Sequence, residues 1–166
     1  MDLNKYIKNV PDFPKKGIIF KDIAPLLNSP EAFNYVIDEM SKYIADADII
    51  VAPDARGFIF GTPVAYKTKK PFVMVRKAGK LPGNTIKQNY DLEYGNNTLE
   101  IQADVIKPGL KAVIVDDILA TGGTTKAIID LLRNQGITVT DLVVLFVIPG
   151  LDAESKLGNI KIHSIM

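Results

Sequence analysis

Three short runs constrain this chain more than anything else in it: "ADIIVAP", "LKAVIV" and "VTDLVVLFVI" are near-continuous apolar stretches with β-branched residues, separated by segments with helical periodicity. A strand that is apolar at every position has both faces covered, so strands of this kind alternating with helices predict a parallel sheet flanked by helices, an α/β fold. The intervening segments agree. In "NSPEAFNYVIDEMSKYIAD", Ser29 is placed to cap a helix, Pro30 to begin it, and Phe33, Val36, Ile37, Met40 and Ile44 to form one apolar stripe. "GFIFGTPVAYKTK" reads as a helix held close to the sheet through its glycines. After "TGGTTK" a further helix places Ile128, Leu131 and Leu132 on one face and ends at Gly136. "PFVMVRK" reads as a strand, and "LEIQADVI" as a half-buried one, with Leu99, Ile101, Ala103 and Val105 inward and Glu100, Gln102 and Asp104 outward.

A chain of 166 residues, 47% hydrophobic and 23% charged, has what a single domain with a full core needs, and no linker, repeat or low-complexity tract divides it. The net charge of +1 gives no footprint for nucleic acid or a membrane surface. With no cysteine and one histidine, His163, thiolate and histidine-cluster metal sites are excluded, and any metal must be held by oxygen. No leader pattern opens the sequence, and no apolar run approaches the ~20 residues of a membrane span, so a cytoplasmic protein is expected. The polar tract Lys77–Asn97, "KAGKLPGNTIKQNYDLEYGNN", fits neither element and leaves two readings open, a solvated hairpin arm or an active-site lid.

The chemistry concentrates in "VIVDDILATGGTTKAIID". In an open α/β sheet ligands bind at the carboxyl ends of strands, where Asp116 and Asp117 fall. Adjacent carboxylates repel one another, and a cationic or hydroxylated ligand offsets that cost. Immediately beyond, Ala120, Thr121, Gly122, Gly123, Thr124 and Thr125 open a helix, bringing backbone N–H groups and hydroxyls to its positive end as a phosphate cradle. The spacing is not that of a Walker A loop. A diol acceptor contiguous with a phosphate cradle describes a site for ribose 5-phosphate.

The stretch "VIVDDILATGGTT" resembles the ribose-phosphate signature of the type I phosphoribosyltransferases. The segments "FPKKGIIFKDIAPLL", "ARGFIFG", "VRKAGKLPG" and "YDLEYG" narrow the resemblance to the adenine-specific members of that family. It implies a single domain over residues 1–166, with about 1–28 contributing a hood and about 77–97 a lid loop. It implies transfer of the 5-phosphoribosyl group of phosphoribosyl pyrophosphate to N9 of adenine, giving AMP and pyrophosphate in purine salvage, with Mg²⁺ and as a homodimer.

The roles it implies are as follows. Asp116 and Asp117 accept the ribose hydroxyls and order the water shell of Mg²⁺, and the 120–124 cradle takes the 5-phosphate. Asp54, Ala55 and Arg56, with Arg76, Lys77 and Lys80, face the pyrophosphate. Glu93 handles the proton of the purine imidazole, and Tyr94 covers the site. Ile19, Phe20, Lys21 and Ile148 contact the base. Two positions depart from the family pattern, Asp54 where Glu is usual and Lys21 where Arg is frequent. A 6-oxopurine enzyme is the nearest alternative, but it should lack "LEYG" and the hood pattern. A regulator that senses phosphoribosyl pyrophosphate would carry an added DNA-binding segment or a basic stripe.

Overall fold

The structure, a computed structural model, describes residues 1–92 and 95–166. Its centre is a seven-stranded sheet of order β5-β6-β4-β3-β7-β8-β9, with β3 Ile49–Pro53, β4 Phe72–Lys77, β5 Thr85–Leu92, β6 Gly95–Gln102, β7 Lys111–Leu119, β8 Thr138–Val147 and β9 Lys161–Ser164. From β4 through β3, β7 and β8 to β9 every pairing is parallel, while β6 runs antiparallel to both β4 and β5. The parallel sheet expected from the apolar runs is therefore present, with an antiparallel hairpin added at one edge.

Successive strand residues serve opposite layers. Ile49 and Val51 of β3, Ile114 of β7 and Val144 of β8 join a core with Ile128, Leu131 and Leu132 of α4 (Gly123–Asn134). Ile50, Val113, Val115 and Val143 face the other way, toward Val36 and Met40 of α2 (Pro30–Ser41) and Phe60 and Val64 of α3 (Arg56–Thr68). Burial on both faces is why these strands read as unbroken apolar runs. Ser29 caps α2 as expected, accepting from the Ala32 N–H at 3.3 Å. Gly61 lets α3 lie against the sheet, since a Cβ there would come within 2.8 Å of the Phe72 ring and 2.9 Å of Ala52 Cβ. Shorter elements include a 3₁₀ helix (Leu3–Tyr6), a two-stranded antiparallel sheet of β1 (Lys8–Pro11) and β2 (Ile19–Asp22), the helix α1 (Ala24–Leu27), and the helix α5 (Ala153–Lys156).

Two expectations are corrected. The polar tract 77–97, read as fitting neither helix nor strand, contains β5 and the start of β6, which pair in register from Thr85↔Gln102 to Leu92↔Gly95. Strands at a sheet edge need no apolar run, which is why their pattern is faint. The strand read over 99–105 stops at Gln102, residues Ala103–Val105 form a 3₁₀ turn, and Val105 is 48% exposed. Glu100, assigned to the outward face, is 1% exposed. Among the described residues no helix is long and apolar enough to cross a membrane.

Candidate active site

In chain order β3 is followed by α3 and β4 on one side, whereas β7 lies against the other side of β3. The crevice between the carboxyl ends of β3 and β7 is thus a topological switch point, where an open α/β sheet offers a ligand two diverging loops. A cavity of about 250 Å³ lies there. Its walls include Asp54, Ala55 and Arg56 from the turn after β3, Asp116 and Asp117 from β7, and Ala120 to Thr125 from the turn into α4. Every residue assigned from the sequence to the ribose-phosphate site borders this one space. A cis peptide bond joins Asp54 and Ala55.

The end of the cavity that the sequence assigns to phosphate is built from backbone. Gly122 adopts φ +80°, which sends the chain into α4 and disfavours a side chain, since a Cβ would also crowd Ala153, 3.2 Å from both its Cβ and its carbonyl oxygen. Lys156 of α5 donates to the Thr121 carbonyl at 3.0 Å, fixing the turn from behind. The first-turn N–H groups of α4 have no partners within the helix and stand at the positive end of its dipole.

The acidic end is out of balance. Asp116 Oδ1 accepts from the Asp117 N–H at 2.8 Å, and Asp117, 2% exposed, lies with Oδ2 2.9 Å from Arg56 Nε. That approach is close enough for charge attraction, but Oδ2 has no hydrogen-bond donor among the described residues. Burial, and then the neighbouring charge of Asp117, push the Asp116 carboxyl well above the ordinary range; burial also raises Asp117, while Arg56 pulls both down. A single guanidinium does not neutralise a buried carboxylate and a half-buried one beside it. The site therefore has the chemistry to receive hydroxyl donors or a hydrated cation.

Arg56 also lies with its guanidinium carbon 5.3 Å from the Phe20 ring centre, so it spans from β2 to Asp117. Phe20 is itself edge-on to Phe13 at 5.2 Å. Arg76 pairs with Asp54 at 3.0 Å through Nε and donates to the Lys80 carbonyl at 3.1 Å through Nη1, which joins it to the rim of the cleft. Lys77 and Lys80 are exposed and do not line the cavity. Lys21 and Ile148 border a second cavity of about 300 Å³ below the β1–β2 sheet, and Lys21 Nζ donates to Asn9 Oδ1 at 2.7 Å. Ile19 is 61% exposed. Glu93 and Tyr94 lie outside the described residues. His163, read as chemically idle, bonds Asp141 at 2.7 Å and stacks on Tyr43, far along the strands from the cleft.

Residues 24–164 match the phosphoribosyl transferase domain family. An adenine phosphoribosyltransferase of Mycoplasmopsis pulmonis is 59% identical over 166 residues, covering 100% of this chain and 98% of that one. This chain belongs to the adenine phosphoribosyltransferase family. Among solved adenine phosphoribosyltransferases, that of Thermoanaerobacter pseudethanolicus superposes with a TM-score of 0.95 at 46% identity, covering 99% of this chain and 96% of that one. The Saccharomyces cerevisiae enzyme, complexed with an imino-altritol bisphosphate and adenine, gives 0.94 at 34% identity over 99% and 97%. As a phosphoribosyltransferase, the chain has in this cleft an acidic pair, a backbone cradle and an arginine turn within one cavity. Sequence reasoning did not find Glu100 or Lys156. A glutamate between Leu99 and Ile101 was the available sign for Glu100; nothing local marked Lys156.

Proposed function

We propose that this chain transfers the 5-phosphoribosyl group of phosphoribosyl pyrophosphate to N9 of adenine, releasing pyrophosphate and forming AMP for purine salvage. The observation that carries this reading is the shared cavity: the paired carboxylates of β7 and the helix-opening cradle adjoin one another, as a vicinal diol and a phosphomonoester on one sugar require. The resemblance in sequence supports the choice of base.

In this reading the 5-phosphate occupies the Ala120–Thr124 cradle, and Asp117 Oδ2, which lacks a donor, accepts a ribose hydroxyl. Asp116 and Asp117 suit a magnesium ion that keeps its waters, because the described residues contain no cluster of three or more acidic or histidine ligands to strip them. Held there through water by Asp116 and Asp117, Mg²⁺ would supply positive charge that offsets the negative charge of the substrate. Cleavage at the anomeric carbon leaves positive charge on the sugar and negative charge on pyrophosphate. Arg56, the Asp54–Ala55 backbone, Arg76, Lys77 and Lys80 offset the latter. Phe20 and Ile148 hold the faces of the base, flanked by Ile19 and Lys21, while Glu93 manages the purine proton and Tyr94 excludes water. The chain works as one domain and as a cytoplasmic homodimer, with residues 1–28 as the hood and 77–97, which contains β5 and the start of β6, as the cover.

Incubation with Mg²⁺, phosphoribosyl pyrophosphate and each purine base in turn, with products separated by chromatography, tests the reading. AMP and pyrophosphate in equal amounts from adenine are expected; absence of transfer to any purine overturns it.

A further inference from the structure

Glu100 is the one glutamate of the described core that is almost wholly buried, and the mechanism above makes no use of it. Its carboxylate faces the turn that carries Lys80. Oε1 accepts from the Lys80 N–H and the Leu81 N–H, each at 2.9 Å, and Oε2 accepts from the Thr85 hydroxyl at 3.2 Å. Burial acts to raise its pKa, but the N–H groups of Leu81 and Lys80, the Thr85 hydroxyl and the Gly79 N–H outweigh it, so the group stays charged. An acceptor-only carboxylate that gathers adjacent N–H donors holds the path of a turn rather than the position of one side chain.

That turn leads to the cleft by a short set of contacts. Arg76 is the direct cross-strand neighbour of Glu100 in the β4–β6 ladder, a place where opposite charges usually pair. Here Arg76 instead donates to the Lys80 carbonyl at 3.1 Å and to Asp54 at 3.0 Å. Asp54 and Arg56 line the cavity, and Arg56 reaches Asp117. The peptide units that place the exposed Lys80 and orient Arg76 are thus anchored on Glu100.

We propose that Glu100 is a positioning residue for the pyrophosphate end of the site: it fixes the 79–81 backbone so that Arg76 and Lys80 stand ready at the rim before substrate arrives. The inference rests on reading this cleft as the phosphoribosyl pyrophosphate site. Gln at this position can still accept both amides and meet the Thr85 hydroxyl, whereas Ala leaves two N–H groups without their acceptor.

Steady-state kinetics of the parent, Glu100→Gln and Glu100→Ala well below their melting temperatures test it. The expected result is a rise in KM for phosphoribosyl pyrophosphate of about ten- to a hundredfold in E100A, with KM for adenine little changed and near-parent values in E100Q. A role in stability alone would lower the active fraction, and so kcat, without this split. An unchanged pyrophosphate-substrate KM in E100A, or E100Q as impaired as E100A, overturns the proposal. Amide exchange on the parent decides the matter should E100A fail to fold: slow exchange at Lys80 and Leu81 is expected, and unprotected amides there overturn it. A parent inactive with every purine would count against the reading of the cleft, while the exchange result would still judge the anchoring.

Discussion

Arg56 Nε and Asp117 Oδ2 lie 2.9 Å apart although they come from different strand ends, and the same guanidinium sits over the ring of Phe20. One side chain therefore joins the three parts of the cleft: the turn after β3, the acidic end of β7 and the β1–β2 sheet. Replacing Arg56 by Ala should remove charge-assisted contacts to pyrophosphate worth about 1.5–3 kcal/mol, lowering kcat/KM for phosphoribosyl pyrophosphate about ten- to a hundredfold. Arg56→Lys should recover only part of the loss, because an ammonium lacks the fork. Initial rates at varied substrate read both effects.

The acidic pair makes the ligand-free protein sensitive to pH in a defined direction. Asp116 and Asp117 have pKa values raised by folding, so between the unfolded carboxylate value and the raised one the folded chain holds a proton that the unfolded chain has lost. Their contribution to stability consequently falls as pH rises through that window. Asp116→Asn removes the largest part of it. Thermal midpoints of parent and D116N, measured without ligand over a pH series from about 4 upward, should diverge in favour of the variant as pH increases. A constant difference would mean the carboxylate is not perturbed. Turnover should move oppositely, with D116N and Asp117→Asn both slowed.

Gly57 lies where α3 begins, and a Cβ there would come 2.8 Å from Pro53 Cδ and 3.0 Å from Asp116 Oδ1. The Pro53 ring cannot turn away, and Asp116 Oδ1 is held by the Asp117 N–H at 2.8 Å. Gly57→Ala should cost about 1–3 kcal/mol of stability through overpacking and displace the Asp116 carboxylate, weakening substrate binding as well. Chemical denaturation together with KM for phosphoribosyl pyrophosphate checks this pair of effects.

The Lys21 ammonium is held by Asn9 within the β1–β2 sheet at 2.7 Å. Lys21→Ala should therefore leave the ratio of kcat/KM values for adenine and hypoxanthine within about threefold of the parent, a difference under 1 kcal/mol. A larger change would show that the charge reads the base edge.

Much of this architecture is legible in the sequence because β3 and the central stretches of β7 and β8 are buried on both faces and so read as apolar runs. The helices beside them repeat their apolar residues every three to four positions. The residues that line the cavity are legible for a related reason: Asp116 and Asp117 break an apolar run, and Gly122 and Gly123 follow at a helix start. The β5–β6 hairpin is not, since Thr85, Lys87 and Asn89 sit in strands at the sheet edge and alternate only weakly. Nor is the burial of Glu100, whose partners are backbone amides contributed by a turn some twenty residues earlier. The Arg56–Asp117 contact depends on β3 and β7 being neighbours, a matter of sheet order that no local pattern records.

The central claim is adenine selectivity, which depends on the edge of the purine that the site satisfies. Adenine presents an acceptor at N1 beside an amino donor, whereas 6-oxopurines reverse the pattern, so a site fixed for adenine leaves two buried polar groups unpaired against them at about 1–3 kcal/mol each. Specificity constants for adenine, hypoxanthine and guanine, measured at saturating Mg²⁺ and phosphoribosyl pyrophosphate, test this most directly. The account predicts that adenine leads by about a hundredfold or more; comparable values for adenine and hypoxanthine would contradict it.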